Sequence, residues 1–87
     1  MRTVTTQEAL ERAIQAGVRE IAVKNGDFRV AAAITVFAKA GAVVVAGRGS
    51  KVHARSGSVV YAGRASVVVA YRGAKVHPRS GAKVVSR

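Results

Sequence analysis

The chain has 87 residues, 49% of them hydrophobic, and a formal net charge of +11 from 15 Lys and Arg against 4 Asp and Glu. That length allows one small domain, so 1–87 is expected to fold as a single unit. With no cysteine present, disulfides and thiolate metal centres are excluded, which suits a reducing compartment such as the cytoplasm. No signal peptide is read at the start, and no apolar run approaches the roughly 18–20 residues of a membrane span.

Residues 1–17 read as an N-terminal strand and helix that cap the fold, and 18–87 as the repeating body. Thr5-Thr6-Gln7-Glu8 has the form of a capping box, with a Thr5 side chain on the Glu8 amide and Glu8 reaching back. Ala9, Leu10, Ala13 and Ile14 then make one apolar stripe of a short helix, and Gly17 is a suitable terminator. Val18 to Val23 alternates in the manner of a strand, and Asn25-Gly26 reads as a turn. The helix is expected to lie across the open end of the first coil and bury its core.

From Val36 onward a valine recurs every eighth residue: Val36, Val44, Val52, Val60, Val68, Val76 and Val84. Each repeat reads Ala-x-x-Gly-(Ala/Ser)-x-Val-x. Positions eight apart drift around a helix but suit a short strand of about five residues followed by a corner of about three. Val then fills the middle of each side, Ala or Ser sits where the wall bends inward, and Gly marks the corner. Repeats on this scale predict an all-β solenoid whose coils stack on one another.

Two octads would make a flat 16-residue coil and three a triangular 24-residue coil, and a longer recurrence favours three. Arg48-Gly-Ser-Lys-Val-His-Ala-Arg-Ser-Gly57 returns as Arg72-Gly-Ala-Lys-Val-His-Pro-Arg-Ser-Gly81, a shift of 24. Stacked residues are expected to be chemically alike, and a 24-residue coil sorts the outward positions into three faces. One is apolar (Val43, Val45, Val67, Val69), one basic (Lys51, His53, Lys75, His77) and one mixed (Thr35, Phe37, Val59, Tyr61, Lys83, Val85). The expected fold is therefore a three-sided parallel β-helix of about three coils with an N-terminal capping helix; parallel crossovers favour a right-handed coil, whereas narrow hexapeptide-type helices are left-handed.

With short stacked coils, inward Val and Ala and corner glycines, the chain from about Val18 to Val85 resembles parallel β-helix solenoids, including the bactofilin-like polymer-forming proteins. The resemblance is architectural. It implies stacked coils that can join end to end, although the N-terminal helix should block one end. Polysaccharide lyases on larger β-helices use acidic, often calcium-binding clusters, and this chain has no acid after Asp27.

All four acids (Glu8, Glu11, Glu20, Asp27) lie in the first 27 residues, and ten bases follow Val30 with no acid among them. A segment this basic attracts polyanions. The expected polyanion-binding set is Arg48, Lys51, His53 and Arg55 with Arg72, Lys75, His77 and Arg79, in parallel ladders that a row of phosphates would neutralise. Tyr71 beside Arg72 is placed to stack on a base. DNA or RNA is the expected partner, bound through backbone or shape, since no base-reading motif is present.

No enzyme is expected: Ser56 and Ser80 lack the acid and base of a triad. No cofactor motif is read. His53 and His77, without acid or thiol company, make an incomplete metal site. The C-terminal coil, with inward Val76 and Val84, and the Val43, Val45, Val67, Val69 face predict a homo-oligomer, a dimer in the simplest case. The rival function is a structural or interaction element, such as a phage or bacterial assembly or inhibitor protein, that docks an acidic protein.

Overall fold

The computed structural model describes residues 2–87. In chain order the elements are β1 (Arg2–Val4), α1 (Gln7–Gln15), β2 (Glu20–Val23), β3 (Gly26–Val30), β4 (Thr35–Ala38), β5 (Ala42–Ala46), β6 (Lys51–Ala54), β7 (Val59–Ala62), β8 (Val67–Ala70), β9 (Lys75–Pro78) and β10 (Lys83–Ser86). They form two sheets, one ordered β1-β2-β4-β6-β8-β10 and the other β3-β5-β7-β9. Every pairing is parallel. The fold is a parallel β-solenoid, as the octad requires. No helix of the described residues is long and apolar enough to cross a membrane.

The expectation of three sides is corrected. Val36 pairs in register with Val52, Val52 with Val68, and Val68 with Val84 on the first sheet. Phe28, Val44, Val60 and Val76 form the matching row on the second. Each step is 16 residues, so consecutive octads alternate between sheets. The 24-residue recurrence is one and a half such steps and places its two copies on opposite faces. Stacked outward residues also need not be alike: Thr35, Lys51, Val67 and Lys83 share one row. Exposed neighbours in a sheet are worth only about 0.2–1 kcal/mol, too little to enforce uniform faces.

Inward positions follow the sequence reading. Val36, Val44, Val52, Val60 and Val68 are fully buried, with Ala38, Ala42, Ala46, Ala54 and Ala62 beside them where the sheets meet. Burying one such valine stabilises by about 1.5–3 kcal/mol. Ser50, Ser58 and Ser66 are buried as well. Each hydroxyl donates to the carbonyl three residues back (Gly47, Arg55 and Gly63) at 2.6 Å, so none of these buried donors is left unmet. The octad also starts one repeat earlier than its valines show, because Phe28 occupies the Val position of β3.

Helix α1 caps the first coil as expected, with Leu10 and Ala13 fully buried. Its N-cap is Thr6 rather than Thr5: the Thr6 hydroxyl accepts from the Ala9 amide at 3.1 Å. Glu8, freed from a capping box, pairs with Arg12 one turn on. At the other end Gly17, at φ +86°, donates to the Ile14 carbonyl while Val18 donates to Ala13. This pair of bonds is the Schellman arrangement that closes a helix on a left-handed glycine. Gln7 adds a contact the sequence does not announce. Its carboxamide donates to the Arg29 carbonyl at 3.0 Å and accepts from the Arg29 amide at 2.7 Å. A side chain thus occupies the edge of β3 that a strand would otherwise use.

The far end differs. Val76 is half-buried and Val84 is 37% exposed. Lys75 and Arg79 donate to the Ser58 and Ala62 carbonyls of the coil before, so by the alternation of a strand the backbone at position 78 faces the outer edge. Pro78 has no N–H to offer there, and a proline at this place hinders addition of another strand.

Candidate nucleic-acid and polyanion surface

The eight bases expected to form one face are dispersed over four places. Lys51 and His53 point outward from β6 in the first sheet, and Lys75 and His77 from β9 in the second. They are on opposite faces, which also rules out the His53/His77 pair as a shared metal site. Arg48 lies in the β5–β6 corner and Arg79 just past β9, on one ridge of the solenoid. Arg55 and Arg72 lie in the β6–β7 and β8–β9 corners, on the other ridge. The Val43, Val45, Val67, Val69 face divides in the same way, with the first two on β5 and the others on β8.

What the 16-residue step does assemble is a basic ridge at each corner. On one ridge Lys39, Arg55, Tyr71 and Arg87 follow one another, each amide bonded to the coil before it at 2.7–2.9 Å. On the other, Arg48 and Arg64 occupy equivalent corners of successive coils, with Arg79 beside the next. Successive coils are about 4.8 Å apart, so like charges on neighbouring coils repel one another. The ion pair Arg12–Glu8 sits on α1. Among the described residues, none of the ten bases after Val30 has a carboxylate within ion-pair distance. The acids remain at the helix end, giving the solenoid an axial polarity of charge.

Two aromatic columns run beside these ridges. On the first sheet Phe37 stacks on His53, with ring centroids 4.7 Å apart and planes 9° from parallel. His53 meets Tyr71 at 6.4 Å, and the Arg55 guanidinium covers the Tyr71 ring at 4.8 Å. Tyr71, expected to stack on a base, thus has Arg55 over its ring and is half-buried. His53 Nδ1 is buried without a hydrogen-bond partner. Burial, then the charges of Lys51, Arg55 and Arg87, lower its pKa below the usual 6.5 against a weaker opposing pull from Glu20.

The second column is the more open one. Tyr61 stacks on His77 at 4.9 Å and 17°, and Val45 lies next to Tyr61 in the same outward row. Tyr61 is 46% exposed and Val45 44%. Beside them a shallow groove is lined by Tyr61, His77, Gly63, Arg64, Pro78 and Arg79. Glycine at 63 lets the coils close here, since a Cβ would stand 2.6 Å from the Ala46 carbonyl oxygen. The Arg64 stem reaches over the next coil, within 3.1 Å of where a Gly81 Cβ would be. Tyr61 and Arg64 lie outside the polyanion-binding set that the sequence suggests. The signal that finds them is a pairing of aromatic and basic residues at a spacing of 16, which 37/53, 61/77 and 48/64 all obey.

No protein-family model matches the chain, and neither the curated proteins nor the solved structures compared with it give a significant match.

Proposed function

We propose that the protein is a small non-enzymatic binding module, suited to the cytoplasm, that holds a nucleic acid or another polyanion against its basic ridges. The observation that carries this is the pair of corner ridges, where bases after Val30 stack with no acid to neutralise them. Folding gains nothing from such rows, whereas phosphates laid along them release counterions and relieve the repulsion. The test is fluorescence anisotropy with DNA, RNA and polyphosphate across a salt series. Affinity that falls steeply and linearly with the logarithm of salt is expected; absent or salt-insensitive binding rejects the reading.

A second reading is a structural or protein-interaction element that joins copies end to end, as the bactofilin-like resemblance implies, or docks an acidic protein. The exposed Val84 and the free edge of β10 favour it, and Pro78 on the edge of β9 weighs against it. Light scattering on residues 1–87 tests the dimer: a mass that stays at 9.0 kDa at micromolar concentration removes it.

A further inference from the structure

We infer that the β3-β5-β7-β9 sheet carries a shelf for single-stranded nucleic acid, with unpaired bases on Tyr61 and His77 and phosphates on Arg64 and Arg79. The inference rests on the polyanion reading and narrows it to one partner.

Three observations converge. Tyr61, nearly half exposed, presents its ring in an ordered stack with His77 rather than folded against the surface. Aromatic faces next to a positive groove are what single strands use, because every base has a π-face and every nucleotide a phosphate. Arg64 and Arg79 line the same groove as the two rings, so base and phosphate contacts are available together. The column on the other sheet is less open: Phe37, His53 and Tyr71 are half-buried where Tyr61 and His77 are exposed, and Arg55 lies over the Tyr71 ring.

Charge also sets where on the sheet the strand lies. At the helix end, Glu11 and Asp27 outnumber Arg29 in a second depression that Val43 and Val45 also line. Phosphates are repelled there and drawn toward β7 and β9. A duplex keeps its base faces inside its own stack and reaches only the arginines. The shelf therefore discriminates between strand states through Tyr61 and between charge densities through Arg64.

The experiment uses residues 1–87, a labelled DNA single strand of about 15 nucleotides, the same sequence as a duplex, and labelled polyphosphate. Binding is read by anisotropy at low salt for wild type, Tyr61→Ala, Tyr61→Phe and Arg64→Ala, with circular dichroism confirming that each variant keeps its strands. Tyr61→Ala is expected to weaken the single strand about 5- to 150-fold and to leave polyphosphate unchanged. Tyr61→Phe retains near-wild-type affinity, and Arg64→Ala weakens all three ligands. If Tyr61→Ala leaves single-strand affinity intact, or weakens polyphosphate equally, the shelf is wrong while the polyanion reading stands. If wild type binds none of the three, both fall. If light scattering shows Tyr61→Ala halving the mass, the shelf is a contact between copies and the inference is overturned.

Discussion

Phe37 and His53 lie one above the other on successive strands, 4.7 Å apart and 9° from parallel. The contact makes His53 part of the outer packing of its sheet, although a histidine between Lys51 and Arg55 in sequence looks like one more exposed base. Its burial and then the neighbouring positive charges oppose protonation, against a weaker pull from Glu20.

A pH dependence follows from that opposition. In the unfolded chain His53 titrates near 6.5, and in the fold its pKa is lower, so between the two values the unfolded state binds more protons. Stability is then complete above pH 6.5 and is lost as pH falls through the folded-state pKa. Urea midpoints measured from pH 7.5 down to pH 5 should decrease for wild type and change less for His53→Phe, which keeps the stack without the charge. Equal slopes for the two proteins would show that another group is responsible.

Ala65 is a second local cost. It sits at φ +62° in the corner row where Gly49 and Gly81 stand at +81° and +89°. A Cβ in the left-handed region costs about 1–2 kcal/mol. Ala65→Gly is expected to raise the melting temperature by about 4–8 °C, the shift that roughly 1 kcal/mol produces in a domain this small. Gly57→Ala is expected to lower it, because φ is +83° and the new Cβ meets Ala40 at 3.0 Å. A thermal scan in which Ala65→Gly melts no higher than wild type would refute the strain.

The Gln7 clamp on Arg29 predicts a weakening confined to one edge. Gln7→Ala removes two hydrogen bonds from the β3 backbone, worth about 1–3 kcal/mol together. Hydrogen exchange at the Arg29 amide should accelerate more than at Val44 or Val60. Uniform acceleration across both sheets would instead mean that Gln7 acts through the whole cap. Leu10→Ala serves as the contrast: it opens the covered core, costs about 2–5 kcal/mol and affects every strand.

The ridge of Arg48 and Arg64 predicts a change in salt dependence rather than in affinity alone. For a single strand, each phosphate that a base neutralises contributes about 0.7 to the slope of log K against log salt. The double variant Arg48→Ala, Arg64→Ala should be flatter by about 1.4 and keep its melting temperature or gain slightly, since two stacked like charges are gone. An unchanged slope would place the phosphates on the opposite ridge.

The solenoid, its parallel strands, the inward valines and the helical cap are all legible in the sequence, because they rest on large burial energies repeated octad after octad. The coil is not. Two or three octads satisfy the inward pattern equally, and the outward likenesses of Lys51 to Lys75 and of His53 to His77 carry too little energy to report the register. The site is misplaced for the same reason: likeness pairs Arg48 with Arg72 across the molecule, whereas its neighbour on the ridge is Arg64. Gln7 is invisible because its partner, the Arg29 backbone, has no signature in sequence.

The alternation of octads between two sheets also fixes how such a chain can change length. Removing residues 44–59 would bring Val60 to the place of Val44 on the same sheet, and every later side chain would keep its face, with one layer fewer. Removing only 44–51 would send each downstream residue to the opposite side, carrying Tyr61 and His77 away from β3 and exchanging the two ridges. Growth or shrinkage by whole layers therefore preserves a surface, while growth by a single repeat, though it leaves the core pattern intact, turns the remainder of the molecule over.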